Sequence, residues 1–459
     1  MKKNIFSKKQ VTLIAELSAN HNGSLQHAKK LIKLAKKSGA DIVKLQTYSP
    51  DSMTINSNRR EFKINSGLWK GSNLWELYSK GQTPLSWHVK LFSYAKSLNI
   101  PCFSTPFDTK SVDFLEKLNC PYYKIASNEI THYPLIKKIS KTKKPVIIST
   151  GMSTIDDIEI ALSIIIHARK VKKYPKDLND CLRFYIENDS YKEYLKDVTL
   201  LHCSTAYPCP IEYINLNAMV TLKKKFNLTV GYSDHSIGKE VCIAATSLGA
   251  SILEKHFTLN VDMQGPDHQA SMEPRDFSEM VKSIRITEKA LGSSEKYINE
   301  VEIENCQIAK RSVFARRKIK KGNLIQYDDL IALRPEIKEA IPARNFFDIL
   351  GKKSDKDINA GDFIPIEMIM LVYTCILGKE EYSEVSPYLR DDVDYGYAQE
   401  QTEQVNAHEL HNQGFTGEGS RILVMDTGFD LSHNALININ VVTQWDVIND
   451  DNETANETE

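Results

Sequence analysis

Eight short β-forming runs recur between Val11 and Thr258, each separated from the next by an amphipathic helical pattern, and this alternation limits the fold more than any other feature of the chain. The runs are VTLIAEL (11–17), DIVKLQT (41–47), IPCFSTPF (100–107), YYKIAS (122–127), PVIIST (145–150), VTLLHCST (198–205), LTVGYSD (228–234) and SILEKHFT (251–258). Helical patterns such as SLQHAKKLIKLAKKSG and PLSWHVKLFSYAKSLN lie between them, and PRDFSEMVKSIRITEKALG follows the last. Eight β/α units in roughly 280 residues have the size and rhythm of an α/β (β/α)8 TIM barrel. A doubly wound open sheet would carry a glycine-rich phosphate loop after a strand, and neither GxGxxG nor GxxxxGK occurs here.

The pattern divides the chain into a barrel over 1–292, a polar link over 293–306 and a small β-rich domain over 307–370, whose short runs are separated by KKG and AGD turns. A junction (371–394) and a segment of different composition (395–459) follow. Two connections in the barrel are long. Residues 48–83, with GLWKGSNLWELY, follow the second strand, so they fall on the C-terminal face where barrel active sites form, and read as a lid or specificity loop. The charged insert at 169–197 precedes the sixth strand and is expected on the opposite face, silent in catalysis.

Lys plus Arg (59) balance Asp plus Glu (59), so no global field favours nucleic acid or an anionic membrane, and any anion site must be local. MKKNIFSKKQ has no apolar core of a secretory signal, and the barrel part reads as cytoplasmic. FIPIEMIMLVYTCIL (363–377) is too short and too interrupted for a membrane span. The eight cysteines show no CxxC pairing, and several sit in apolar runs, which points to reduced, packed thiols.

Parallel strands joined by one helix lie side by side, about 4.8 Å apart. His235 follows the seventh strand and His256 ends the eighth, so the two are spatial neighbours at the catalytic face, as two ligands of one divalent metal must be. The alternative is a pair of imidazoles hydrogen-bonded within the barrel mouth. Other strand ends supply Glu16, Lys44, Gln46, Thr105, Lys124, Ser127, Glu129, Ser149, Thr150, Ser204, Ser233 and Asp234. Two buried lysines converging with hydroxyls suggest a seat for a phosphate or carboxylate; the alternative is a salt bridge to a barrel carboxylate such as Glu16. With a cation polarising a carbonyl, the set suits chemistry on a small phosphorylated anion, with Glu16 and Glu129 as proton carriers. A generic metal-dependent aldolase and a non-catalytic carbohydrate binder fit the same residues.

At these positions, over residues 11–369, the chain resembles the sialic acid synthase (nonulosonic acid synthase) family. The likeness is carried by AELSANHNGS, GADIVKLQTY, FSTPFD, YKIASNE, VIISTGM, LHCSTAYP, GYSDHS, EKHFTL and GPDHQASMEP. The resemblance implies metal-dependent condensation of phosphoenolpyruvate with an acylamino sugar. His235 and His256 would hold Mn2+ or Mg2+. Lys44, Thr105, Lys124, Ser127, Ser149 and Ser233 would hold phosphoenolpyruvate, and Gln46, Tyr207 and Asp267 the sugar, with Glu16 and Glu129 beside the metal. The small domain resembles the antifreeze-like (SAF) module of this family. It implies a domain-swapped homodimer in which Arg334, in LRPE, reaches the partner's sugar site. The chain reads RPEIKEA where members often read RPGxG, and Thr205 stands where some carry asparagine. QTYSPDSMT, GLWKGSNLWELY and TPLSWH resemble pseudaminic acid synthases, which take a 6-deoxy diacetamido altrose, whereas GPDHQASMEP is nearer the N-acetylneuraminate or legionaminic branch.

The segment GFTGEGSRILVMDTGFDLSHNAL (414–436) resembles the start of a subtilisin-like serine protease, with Asp426 as the triad aspartate. No matching histidine or nucleophile motif follows, so the expectation over 395–459 is a truncated, inactive α/β fragment.

Overall fold

The computed structural model describes residues 10–65, 69–171, 173–186 and 193–368. The chain divides into two compact units, Met1–Tyr297 and Ile298–Glu459. The first is a closed barrel of eight parallel strands: β1 (Thr12–Glu16), β2 (Ile42–Thr47), β3 (Cys102–Pro106), β4 (Tyr123–Ile125), β5 (Val146–Ser149), β6 (Val198–Cys203), β7 (Thr229–Asp234) and β8 (Ile252–His256). Every strand falls inside one of the expected runs. β8 closes on β1 over five register pairs, from Thr12–Ile252 to Glu16–His256. Strands such as VIIS read as unbroken apolar runs because both faces are covered, one by the barrel core and one by helices.

The first helix, Leu25–Lys37, shows why the intervening segments are helical. Ser24 caps it by accepting from the His27 N–H, and Ala28, Leu31, Ile32 and Ala35 recur at helical spacing to bury one face. Leu31 and Ile32 are fully buried, each contributing about 1.5–3 kcal/mol of transfer free energy. Lys36 and Lys37 occupy the last turn, where the carbonyl end of the helix favours cations, and the chain leaves through Gly39 at φ +93°.

Gly231, inside β7, has the least room for a side chain among the described glycines. A Cβ there would lie 2.3 Å from the Ile252 carbonyl oxygen and 2.7 Å from Leu201 Cδ2. The obstacle on the β8 side is backbone, which cannot rotate away. Gly231→Ala is therefore expected to destabilise the barrel by about 3 kcal/mol or more, read as a lowered denaturant midpoint; an unchanged midpoint would refute this packing.

The connection over 48–83 folds as a helix (Pro50–Met53), a 3-10 turn (Arg60–Phe62) and a second helix (Leu74–Gly81). The Trp69 indole N–H donates to the Pro266 carbonyl at 2.8 Å, tying the connection to the loop after β8. The insert at 169–197 contains a helix, Leu178–Ile186, packed on the helix Ile155–Lys170. The Arg169 guanidinium ties its ends together by donating to Asp197 and to the Tyr194 and Lys144 carbonyls.

In the second unit, β9 (Ser312–Ala315) pairs antiparallel with β10 (Leu330–Leu333), and isolated bridges join Phe314 to Phe363 and Ile319 to Ile358. Val313, Ile319, Ile325, Leu330, Ile341, Ile349, Ile358 and Ile364 form its core. The expected polar link over 293–306 is in part a helix, Glu300–Ala309, because Asn299 and Glu302 form a capping box that overrides the polar composition. The seven described cysteines are all free, and six of them are buried. Among the described residues no helix is long and apolar enough to cross a membrane. The protease-like segment with Asp426 lies outside the described residues.

Candidate active site

Side chains alternate between the two faces of a strand, so every second residue at the C-terminal ends of the strands projects into the barrel mouth. Register then sets the neighbours: Glu16 lies beside Lys44 on one side and His256 on the other, Gln46 beside Thr105, Ser233 between Cys203 and Glu254. These residues line a cavity of about 420 Å³. Of the expected site residues, Glu16, Lys44, Gln46, Thr105, Lys124, Ser127, Ser149, Tyr207, Ser233, His235, His256 and Asp267 all line it.

At its floor two lysines and two carboxylates form one network. Lys44 and Lys124 are each 4 % exposed, and Glu16 is fully buried. Lys44 contacts Glu16 and lies 3.5 Å from Glu254, while Lys124 contacts Glu254. Lys44 Nζ also donates to Thr105 Oγ1 at 3.1 Å, and Ser233 Oγ to Glu254 Oε1 at 3.2 Å. Burial alone would raise the Glu254 carboxyl, but Lys124 and Lys44 outweigh it and hold that group below the usual carboxylate range. For Glu16 the balance reverses. Its burial raises the carboxyl, and Lys44 only partly offsets this while the Glu254 charge adds to the rise. Burial likewise lowers the Lys124 ammonium. The floor thus holds two cations already matched by two carboxylates, one of which, Glu16, retains a proton more readily than usual.

The rings of His235 and His256 lie 5.3 Å apart, and Tyr207 packs over His235 at 4.1 Å. Burial lowers both imidazoles to about 3, reinforced at His235 by His256 and at His256 by Lys44, so both are neutral near pH 7. His235 Nδ1 faces the Ser204 carbonyl, which can only accept; Nδ1 therefore carries the proton and Nε2 keeps its lone pair. His256 Nδ1 is buried without a hydrogen-bond partner among the described residues. Two adjacent neutral imidazoles, one oriented by a carbonyl and one with an orphaned nitrogen, fit a divalent cation. Among the described residues no group of three or more His, Cys, Asp or Glu side chains is placed to cage one, so water and substrate oxygens would complete its coordination.

Gly151 N–H donates to Ser127 Oγ at 3.1 Å, and Ser149 Oγ is buried without a partner among the described residues, so both residues add hydroxyls to the cavity lining. The 48–83 connection supplies an apolar wall with Met53, Ile64, Leu74 and Leu77.

Four of the expected strand-end residues, Glu129, Thr150, Ser204 and Asp234, are not among the lining residues. Glu129 sits in the 3-10 turn Ser127–Glu129 and pairs with His132 Nδ1 at 2.8 Å. Arg334 belongs to the second unit, as expected for a residue of the small domain. Asp234 projects to the opposite face from Ser233 and forms a buried pair with Lys255 at 2.6 Å. His202 Nε2 bonds the Ile214 carbonyl at 2.7 Å. Conversely, Glu254 was missed, although its i, i+2 spacing from His256 puts both on one face and signals it.

Residues 31–296 match the NeuB family and residues 310–370 the SAF domain. The chain is 41 % identical to a pseudaminic acid synthase of Helicobacter pylori over 76 % of its own length and 94 % of the relative's. It is 37 % identical to an N,N'-diacetyllegionaminic acid synthase of Campylobacter jejuni, covering 78 % and 99 %. Among solved structures it resembles the N-acetylneuraminic acid (sialic acid) synthetase of Leptospira borgpetersenii, crystallised with citrate, with a TM-score of 0.53 and 28 % identity over 64 % of this chain and 90 % of that one.

Proposed function

The chain belongs to the NeuB family, and on that premise we propose that it condenses phosphoenolpyruvate with an open-chain acylamino sugar to give a nonulosonic acid and phosphate. The observation that carries this is the single cavity in which Lys44, Lys124, Glu16 and Glu254 face the His235–His256 pair. Lys44 and Lys124 hold the phosphate and carboxylate of the enolpyruvyl ester, with Thr105, Ser127, Ser149 and Ser233 donating hydroxyls. Carbon 3 of phosphoenolpyruvate bonds to the aldehyde carbon, whose oxygen gains a proton. Water adds at carbon 2, and phosphate leaves with its bridging oxygen. Glu16, with its raised carboxyl, carries the proton that the water gives up; Glu129, off the cavity, is the weaker choice. His235 and His256 would hold Mn2+ or Mg2+, which when bound supplies polarisation of the aldehyde oxygen. Gln46, Tyr207 and Asp267 orient the sugar, and the same reading includes a domain-swapped homodimer with Arg334 as a further sugar contact.

For the sugar, the apolar wall of Met53, Ile64, Leu74 and Leu77 suits the methyl groups of a 6-deoxy diacetamido altrose, so the product is pseudaminic acid. Purified protein with phosphoenolpyruvate and Mn2+ is expected to release phosphate fastest with that sugar, ahead of N-acetylmannosamine and the legionaminic precursor. Faster release with either of those overturns the choice of sugar, and release with none overturns the reaction.

A further inference from the structure

Ser18 occupies a backbone conformation that L-residues other than asparagine and aspartate seldom take, with φ at +42°, in the loop leaving β1. It is 3 % exposed and lines the cavity. Two of its polar atoms, the backbone nitrogen and Oγ, make three hydrogen bonds there. Its N–H donates to Glu16 Oε1 at 2.7 Å, its hydroxyl donates to Asp267 Oδ2, and Gln46 Nε2 donates to that hydroxyl oxygen at 3.1 Å. The Ala19 N–H also points at Asp267 Oδ2, at 3.4 Å.

We infer that Ser18 is the positioning residue of the sugar half of the site, a role that rests on the proposed reaction. The chain Gln46 to Ser18 to Asp267 has one direction. Gln46 spends an amide N–H on Ser18, which leaves its carbonyl oxygen for a ligand. Among the described residues the hydrogen bonds to the Asp267 carboxylate fall on Oδ2, which leaves Oδ1. Both groups are thereby set as acceptors, and acceptors select ligand donors: hydroxyls and the N–H of an acylamino group. A glycine would fit the backbone at position 18 with less strain but could not set these two side chains, and this is the physical reason for a serine in a left-handed conformation.

The test compares Ser18→Gly, which relaxes the backbone, with Ser18→Ala, which keeps the Cβ; both delete the hydroxyl. Both variants are expected to raise the KM for the acylamino sugar about tenfold or more while the KM for phosphoenolpyruvate stays within about twofold. Ser18→Gly is expected to melt at or above the wild-type temperature, so lost binding is not lost folding. Adding Gln46→Ala to Ser18→Gly should cost less than Gln46→Ala alone, because the two act through one chain. Active wild-type enzyme with an unchanged sugar KM in Ser18→Gly, or equal losses for both substrates, overturns the inference alone. A wild-type protein that turns over no acylamino sugar overturns it together with the proposed reaction.

Discussion

Replacing either His235 or His256 with alanine is expected to reduce phosphoenolpyruvate-dependent phosphate release about 10³-fold or more. The size follows from the several kcal/mol of transition-state stabilisation that a polarising cation supplies, each 1.36 kcal/mol being about tenfold in rate. On the proposed reading the two imidazoles serve one ion, so the double variant should lose little beyond either single one. Loss of fold does not explain such an effect. Both rings are neutral when buried, and removing one strands no charge. A second readout needs no turnover: Mn2+ should raise the thermal midpoint of the wild-type protein and leave both variants unmoved, since only a state that binds the ion is stabilised by it. Unchanged turnover in either variant would remove the metal role from that residue.

The barrel was legible because parallel strands covered on both faces read as apolar runs, and the intervening helices carry helical spacing and caps. The site was legible wherever residues lie on strands, since the eight ends converge by topology alone. It failed where the alternation was not followed: in SDH and EKH the neighbours Asp234 and Lys255 point out of the mouth and satisfy each other, while Ser233 and Glu254 point in. Glu129 shows a different limit. It lies in a 3-10 turn beyond β4, where the two-residue period no longer applies, and a local partner, His132, captures it. Ser18 was hidden for a third reason, because neither a positive φ nor a hydrogen bond to Asp267, 249 positions away, leaves a trace in local pattern.

Removing the Glu254 charge is expected to unsettle the resting protein more than any other single change at the cavity floor. Lys44 keeps Glu16, but Glu254 is the only carboxylate in contact with Lys124 among the described residues, and Lys124 is buried. Glu254→Gln therefore leaves an ammonium inside the barrel with an amide in place of a charge, a loss on the order of 3–5 kcal/mol. Two responses distinguish this from ordinary packing damage. The deficit should shrink as pH rises above 7: burial already lowers the Lys124 ammonium in the folded protein, loss of Glu254 lowers it further, and the folded variant then gives up that proton at a lower pH than the folded wild-type protein does. Phosphoenolpyruvate should also raise the thermal midpoint of Glu254→Gln by more than that of the wild-type protein, because the incoming anion restores the missing charge. The floor would then be a seat held ready by a carboxylate that the enolpyruvyl ester supplements. If the deficit is flat with pH and the ligand shift is no larger than wild type, Lys124 is not the group that Glu254 compensates.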